Sequence, residues 1–423
     1  MAYTVLRHVT VVDGTGASPR PGQTIVVNGN KIESIATDTS AKYPADSAVY
    51  DGDGGTACPG FIDAHLHTAY TGGPDLAYVY KDLPSFIAMR ATVHARRLLH
   101  AGVTSVRDAG STAYADIALR QAIDAGLVPG PRMRACGYGL KMTGGHGDSF
   151  FSPIVEVSQP GMANTPDEAR KVARMNLKMG ADHIKIISAS GGVMSAGTEP
   201  GAPQMTVEEM RAAIDEAHKA GKPAMAHTHG TQAVKNAILA GIDSVEHGSY
   251  LDDEAIEMLL QRGVFLVPTL LAPVRIVQHG ERGGIPEYAV RKAKLVSEEH
   301  AKSFARAVRA GVKIAMGTDA GTPYNVHGEN LNELPLMVQA GMTPMQAIVA
   351  STKMGAELLQ WGDKVGTLEA GKLADIVLVD GNPLDRIELL PDPAKIRLIL
   401  KDGAVVRADA RMVPVAGQGV AVP

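Results

Sequence analysis

The sequence predicts an α/β protein: a (β/α)8 TIM barrel over residues 59–363 with a small β-sandwich built from both ends of the chain, residues 1–58 and 364–423. Three observations predict it. Apolar, β-branched segments alternate with helical ones through the middle of the chain, the pattern of parallel strands joined by crossover helices. The segments at the two ends read as strands alone. No Gly-x-Gly-x-x-Gly turn follows an early strand, as a doubly wound nucleotide-binding sheet would favour.

Residues 3–14 and 23–37 are rich in β-branched side chains, and Asn28-Gly29 supplies the turn that folds the second segment back as a hairpin. Eight strand candidates follow, at 60–68, 103–108, 132–138, 183–188, 223–228, 242–247, 264–270 and 312–318. Between them, helix starts are marked where a threonine hydroxyl can take the free amide three residues on: Thr165 with Glu168, Thr206 with Glu209, and Thr343 with Gln346. Pro166 and Pro344 strengthen two of these starts. Near the C-terminus, 374–379 and 396–400 are strand-like, and Asp402-Gly403 turns into 404–406. Two sets of strands from opposite ends most simply pair into one sandwich.

A hydrophobic content of 45% and a formal net charge of -4 are those of an ordinary globular protein. No basic stretch is dense enough for a nucleic-acid or membrane partner. The two cysteines, Cys58 and Cys136, show no Cys-x-x-Cys spacing, so neither a disulfide framework nor a structural zinc site is expected. No apolar run approaches the roughly 18 residues that span a bilayer. Residues 1–12 alternate as a strand does, so the expected location is cytoplasmic, or periplasmic or secreted had a leader been removed.

Barrels of this kind carry their chemistry where strands end and helices begin. His65 and His67 end the first strand one residue apart, and strand alternation points both to one side. Alone, such a pair is as readily satisfied by hydrogen bonds as by a metal. Later strand ends add Lys185, His227, His247 and Asp319. Imidazoles and carboxylates together suit a divalent ion, zinc above all. Strands one and eight are neighbours in a closed barrel, so Asp319 would share an ion with His65 and His67, although a helix N-cap is its other use.

Lys185 poses a charge problem, because an ammonium beside divalent ions is repelled. A neutral amine that takes up carbon dioxide becomes a carbamate, an anion able to bridge two metals; pairing with a carboxylate is the alternative. His227 and His247 would complete a second site. His229 shares the parity of His227 and competes with it, His227 being preferred as nearer the strand proper. His146, His229 and Tyr250, with the Ser190-Gly191 turn, are expected to bind substrate. His183 is expected to be core, and His94, His100, His218 and His300 to be solvated on helices.

The set His65-x-His67, Lys185, His227, His247 and Asp319, on eight βα units flanked by strands from both termini, resembles the amidohydrolase superfamily. Within it, Thr143-Gly144-Gly145-His146-Gly147, Ser190-Gly191-Gly192, Glu246-His247-Gly248 and His327-Gly328-x-Asn330 resemble one branch. That branch contains imidazolonepropionase-like proteins, Xaa-Pro and other dipeptidases, and ochratoxin-hydrolysing amidohydrolases. Imidazolonepropionases lack the lysine on strand four, so Lys185 argues against that activity. The resemblance implies water activated between two divalent metals, with Asp319 moving its proton to the leaving nitrogen. It also implies a homo-oligomer, an octamer by resemblance alone.

The implied substrate is an amide whose amine half is a free amino acid, cleaved in carboxypeptidase fashion, with ochratoxin A to ochratoxin α and phenylalanine the sharpest expectation. Xaa-Pro or other dipeptides are the alternative, and a metal-binding barrel without hydrolysis, a lyase, isomerase or binding protein, is the alternative from another class. Loops 68–84 and 139–165 are long and carry Tyr70, Tyr78, Tyr80, Phe150 and Phe151, which are expected either to cover an apolar substrate group or to pack the loops.

Overall fold

The computed structural model describes residues 3–148, 154 and 159–416. Its strands are β1 (Tyr3–Val11), β2 (Arg20–Asn28), β3 (Lys31–Thr37), β4 (Ala48–Asp51), β5 (Thr56–Pro59), β6 (Phe61–Leu66), β7 (Val103–Asp108) and β8 (Arg132–Arg134). Then come β9 (Ile184–Ile186), β10 (Ala224–Thr228), β11 (Ser244–His247), β12 (Phe265–Val267), β13 (Ile376–Val379), β14 (Ile396–Lys401), β15 (Ala404–Ala408) and β16 (Val415–Ala416). The longer helices are α1 (Pro84–His100), α2 (Ala115–Asp124), α3 (Pro166–Met179), α4 (Val207–Lys219), α5 (Thr231–Ala240), α6 (Asp253–Arg262), α7 (Leu271–His279) and α8 (Glu287–Ala310). All three expected threonine caps begin helices, and Thr206 and Thr343 form full capping boxes with Glu209 and Gln346. Among the described residues, no helix is long and apolar enough to cross a membrane.

The chain divides into two compact units, one of residues 1–63, 96–105 and 328–423, the other of residues 64–95 and 106–327. In the first, strands from both ends of the chain form one branched nine-stranded sheet instead of the expected two-sheet sandwich. The reason lies in β1. Thr4–Arg7 pair with β4 and Thr10–Val11 with β5 along the strand, so the sheet splits there, and β13 continues it from β5. Leu6, Ile25, Ile32, Ile376 and Leu398, from strands widely spaced along that sheet, share one core. The expected hairpin is present, with Gly29 at φ 59° between β2 and β3. Trp361, the single tryptophan, is also in this unit, buried, with its backbone amide 2.8 Å from Ala356 O.

The remaining strands, β6 to β12, run through the middle of the chain. They form a three-stranded sheet, β6-β7-β8, and a four-stranded one, β12-β11-β10-β9. Every residue of β6, β7, β10 and β11 is buried, as parallel strands covered on both faces require. The expected eighth strand, 312–318, is not a ladder strand. It makes single parallel bridges instead, Ile314 with Leu266 and Ala320 with Leu66, supported by Ala64 N to Met316 O at 2.9 Å. Leu140 bridges Ile186 in the same way. Close approach explains the broken ladder: a Cβ on Gly317 would sit 2.8 Å from His65 Cβ, and Asp319 turns into the left-handed region at φ 59°. The sheets are therefore linked by isolated bridges, not by one closed ladder.

Candidate active site

Strand alternation sends His65 and His67 to one side of β6, and each is fixed through its Nδ1. His65 Nδ1 lies 2.7 Å from Glu246 Oε2, and His67 Nδ1 lies 2.8 Å from Gly110 O. Glu246 is fully buried, which raises its pKa, but Arg107 and then His65 pull it down to about 2. A carboxylate and a carbonyl can only accept, so both imidazoles carry their proton on Nδ1 when neutral. Their Nε2 lone pairs then face one oxygen, Asp319 Oδ1, at 3.4 and 3.2 Å.

Two lone pairs and a carboxylate oxygen repel one another unless a proton or a cation sits among them. Burial pushes Asp319 up, yet when His65 and His67 are protonated their hydrogen bonds and charge hold it well below the usual carboxylate range. The donor set fits a divalent ion of the zinc type.

Behind His65 stands a buried network that sequence reasoning missed. Arg107 donates to Ala64 O at 2.7 Å, Ser244 Oγ at 3.0 Å and Glu246 Oε1 at 2.8 Å, and Ser244 Oγ donates to the same Glu246 oxygen at 2.6 Å. The available signal was a charged residue inside each of two buried strands, Arg107 in β7 and Glu246 in β11, which is rare without a partner.

His227, His229 and His247 form the second group, their ligand atoms all within 4.8 Å of one another. Thr269 Oγ1 donates to Pro268 O at 2.6 Å, so it can only accept from His247 Nδ1, also at 2.6 Å. That leaves the His247 Nε2 lone pair 2.8 Å from His227 Nδ1. His227 Nε2 is 3.3 Å from Gly191 O. His227 has one proton for two acceptors, so one contact is always unmet, and an ion at Nδ1 would resolve this. Burial drives all three imidazoles well below their ordinary pKa, into the neutral form that binds metals. His229 Nδ1 meets Ser249 Oγ at 2.8 Å, and its ring stacks on His247 at 4.7 Å. Both His227 and His229 thus stand beside His247.

Backbone strain collects here. His247, Thr269 and Asp319 have φ of 70°, 54° and 59°. For a β-branched residue such as Thr269 this is an outlier, held in place by its surroundings.

Both groups line one cavity together with Lys185 and His146. Lys185 is buried, and among the described residues its amine has no hydrogen-bonding or ion-pair partner. Burial lowers its pKa against the pull of Glu246 and Asp319. Leu76, Ile187, Val193, Met194 and Ile276 add apolar surface to the same lining.

Among the expected substrate residues, His146 lines the cavity, its ring 4.2 Å from His227. Tyr250 does not. Its amide returns to His229 O at 2.9 Å and it lines a separate cavity with Glu199, Gly230 and Lys292. Ser190 and Gly191 stand behind the histidines: Ser190 Oγ accepts from His229 N at 2.9 Å and donates to Gly191 O.

Tyr70 stacks on His67 at 5.0 Å and lines the cavity, whereas the Tyr78 hydroxyl accepts from Thr71 N and the Tyr80 hydroxyl from Lys141 Nζ. Phe150 and Phe151 lie outside the described residues. His94 and His300 are buried, not solvated: their helices turn them inward to Thr68 O and His247 O, each at 2.8 Å. His183 is core, as expected.

The sequence pattern of the amidohydrolase family matches residues 56–406. The chain belongs to that family. An ochratoxinase of Aspergillus niger is 32% identical over 375 residues, covering 82% of this chain and 75% of that protein. Among solved structures, a Xaa-Pro dipeptidase with methionine bound in its active site matches with a TM-score of 0.89 at 34% identity, covering 96% of this chain and 99% of that one. A prolidase complexed with N-methylphosphonate-L-proline matches with a TM-score of 0.89 at 31% identity, covering 96% and 100%. This amidohydrolase is accordingly a metal-dependent amide hydrolase, and its neighbours imply a TIM barrel beside a β-rich domain. Divalent metal binding follows from the family and from the two histidine groups.

Proposed function

We propose that this amidohydrolase cleaves the bond between an acyl group and a free amino acid, releasing the amino acid as a carboxypeptidase does. One observation carries the reading: both ligand groups, His65, His67 and Asp319 and His227, His229 and His247, line one cavity together with the apolar side chains of Val193, Met194 and Ile276. His65, His67 and Asp319 would hold one zinc ion and His247, with His227 preferred to His229, a second, and Lys185 as a carbamate would add an anionic ligand. The two parallel sheets, with 312–318 as an eighth strand, are read as one (β/α)8 barrel, which sets these residues at its strand ends.

The metals supply Lewis acidity and a lowered pKa for the attacking water. This chain supplies the rest. Asp319 accepts the proton of the attacking water and delivers it to the leaving nitrogen, which departs poorly as an anion. Lys185 has no partner among the described residues and is pushed by burial towards the neutral amine, the form that attacks carbon dioxide to make an N–C bond and release a proton. His146 faces the cavity as a donor for a substrate carboxylate or carbonyl. Val193, Met194 and Ile276 give an apolar side chain a surface from which water is excluded.

The A. niger ochratoxinase makes ochratoxin A, cleaved to ochratoxin α and phenylalanine, the first candidate. The likeness to a Xaa-Pro dipeptidase makes Xaa-Pro dipeptides the second. A panel of N-acyl amino acids, ochratoxin A and Xaa-Pro dipeptides, assayed with the metal-loaded enzyme, tests the reading. Burying a phenyl group is worth about 1.5–3 kcal/mol, so kcat/KM for N-acyl-phenylalanine should exceed that for N-acyl-glycine by roughly ten- to a hundredfold. Equal rates, or turnover confined to cyclic ureas or lactones, would remove it.

A further inference from the structure

The loop between β9 and α4 forms part of the cavity wall, and the first two turns of α8 hold it. Tyr288, Arg291 and Lys292 lie at i, i+3 and i+4 and so share one helix face. The Tyr288 hydroxyl donates to Met194 O at 3.1 Å, and Arg291 pairs with Glu199 at 2.8 Å. Lys292, 1% exposed, donates to Ser195 O at 2.7 Å and also to Thr198 O. Burying an ammonium among neutral carbonyls is costly, so these bonds must be made if the loop is to stay seated. The exposed Arg291 pair adds little beside them.

The loop in turn fixes His146. Ser195 Oγ is 2.6 Å from His146 Nδ1 and accepts from Gly147 N at 3.4 Å. His146 N donates to Gln204 Oε1 at 2.8 Å, and Ser188 Oγ donates to His146 O at 2.8 Å. A Cβ on Gly192 would fall 2.3 Å from the His146 ring, so the loop and the ring fit in a single seating. Val193 and Met194, next along the loop, pack against Ile276, Ile285 and Val290.

Resting on the amide-hydrolase reading of this cavity, we propose that Tyr288, Arg291 and Lys292 form a clasp on the β9–α4 loop. Through it, Lys292 and Ser195 are positioning residues for His146, and the clasp sets the preference for apolar side chains by fixing Val193 and Met194. No residue of the clasp needs to touch substrate.

The test compares Lys292→Met, which keeps the aliphatic stem without the donors, and Ser195→Ala with the full-length wild type, all metal-loaded. In Lys292→Met, bound metal stays at the wild-type level. KM for N-acyl-phenylalanine rises about ten- to a hundredfold with a smaller change in kcat, as expected when a substrate contact moves by an ångström or so. The preference for phenylalanine over glycine falls towards unity, and amide hydrogen exchange across residues 193–201 speeds up at least about tenfold. Ser195→Ala raises KM without speeding exchange.

A folded Lys292→Met with wild-type exchange in 193–201, or with unchanged KM and preference, overturns the clasp. Should that variant not fold, Tyr288→Phe with Arg291→Gln must speed exchange in the same segment, and wild-type exchange there would likewise overturn it. If the wild type hydrolyses no N-acyl amino acid, the substrate reading falls while the exchange measurements still decide the clasp.

Discussion

His65 and His67 give their Nδ1 protons to a carboxylate and a carbonyl, which can only accept, whereas His229 and His247 meet hydroxyls, which can turn. The first arrangement sets the tautomer by itself. The second needs another anchor, and Thr269 has one in Pro268 O. Charge separates the two groups as well. Asp319 gives the first a carboxylate of its own, while the second consists of imidazoles alone and, on the proposed reading, would take an anion from a carbamate on Lys185. The first group should therefore hold its ion more tightly, and substitutions at five positions can break or sharpen that contrast.

Asp319→Asn has the largest expected effect. Turnover should fall by about 10²–10⁴, the usual worth of a general acid-base group, and metal analysis should show one ion lost from the His65 group while the other group keeps its own. Turnover within tenfold of wild type would remove Asp319 from the chemistry.

Lys185→Ala should reverse the pattern, emptying the histidine-only group first and lowering activity by about a hundredfold. Added formate or acetate should restore part of it, and full activity without either would rule out an essential carbamate.

Glu246→Gln weakens the first group from behind. Metal affinity there should fall about ten- to a hundredfold. Stability should drop by about 3–5 kcal/mol, because Arg107 is left buried without its counter-charge. Denaturant unfolding that matches wild type would show that the Arg107 pairing contributes little.

Thr269→Val removes the acceptor of His247 and should cost the second group about tenfold in affinity. Thr269→Ser keeps the hydroxyl and lightens the strain at φ 54°, so it should bind as wild type with an equal or higher Tm. Identical metal titrations for the two variants would contradict a role for the hydroxyl.

The smallest effect concerns a buried carboxylate with no imidazoles around it. Burial, then the charge of Asp108, pushes Asp116 from its ordinary 3.8 to about 7. A folded-state pKa above the unfolded one gives stability that is present below about pH 4 and lost as the pH rises through about 7. One oxygen, Oδ2, accepts the amides of Cys136 and Gly137 at 2.9 and 2.8 Å, so Asn can keep both bonds. Thermal melts from pH 4 to 8 should show Asp116→Asn gaining a few degrees on wild type towards the upper end, about what ~1 kcal/mol shifts. Parallel curves would mean that Asp116 does not titrate in this range.

What could be read in advance depended on period and chemistry together. A repeat of two placed His65 and His67 on one side of a strand, and residue types at later strand ends brought in Lys185, His227, His247 and Asp319; all of them line one cavity. Orientation within helices was less legible. His94 and His300 sit in helical patterns where either face is open to a polar residue, and only packing decides that they turn inward to Thr68 O and His247 O.

Tyr250 shows a limit of a different kind, since one backbone bond to His229 O turns the chain and sends its ring to another cavity. Thr269 had no signal at all, because a left-handed threonine is set by its neighbours and not by its own preference. The missing ladder at 312–318 follows from Gly317 and Asp319, two residues that serve the site at the expense of strand geometry.

The lone tryptophan has a practical consequence. Trp361 is buried in the unit built from both ends of the chain, and no other indole competes with it. Its fluorescence is therefore a private reporter for that unit, silent about the unit that holds the two histidine groups. Emission followed on heating, beside the release of metal into a colorimetric chelator, gives each unit its own signal, and a lag between the two traces would measure how far one can loosen before the other does.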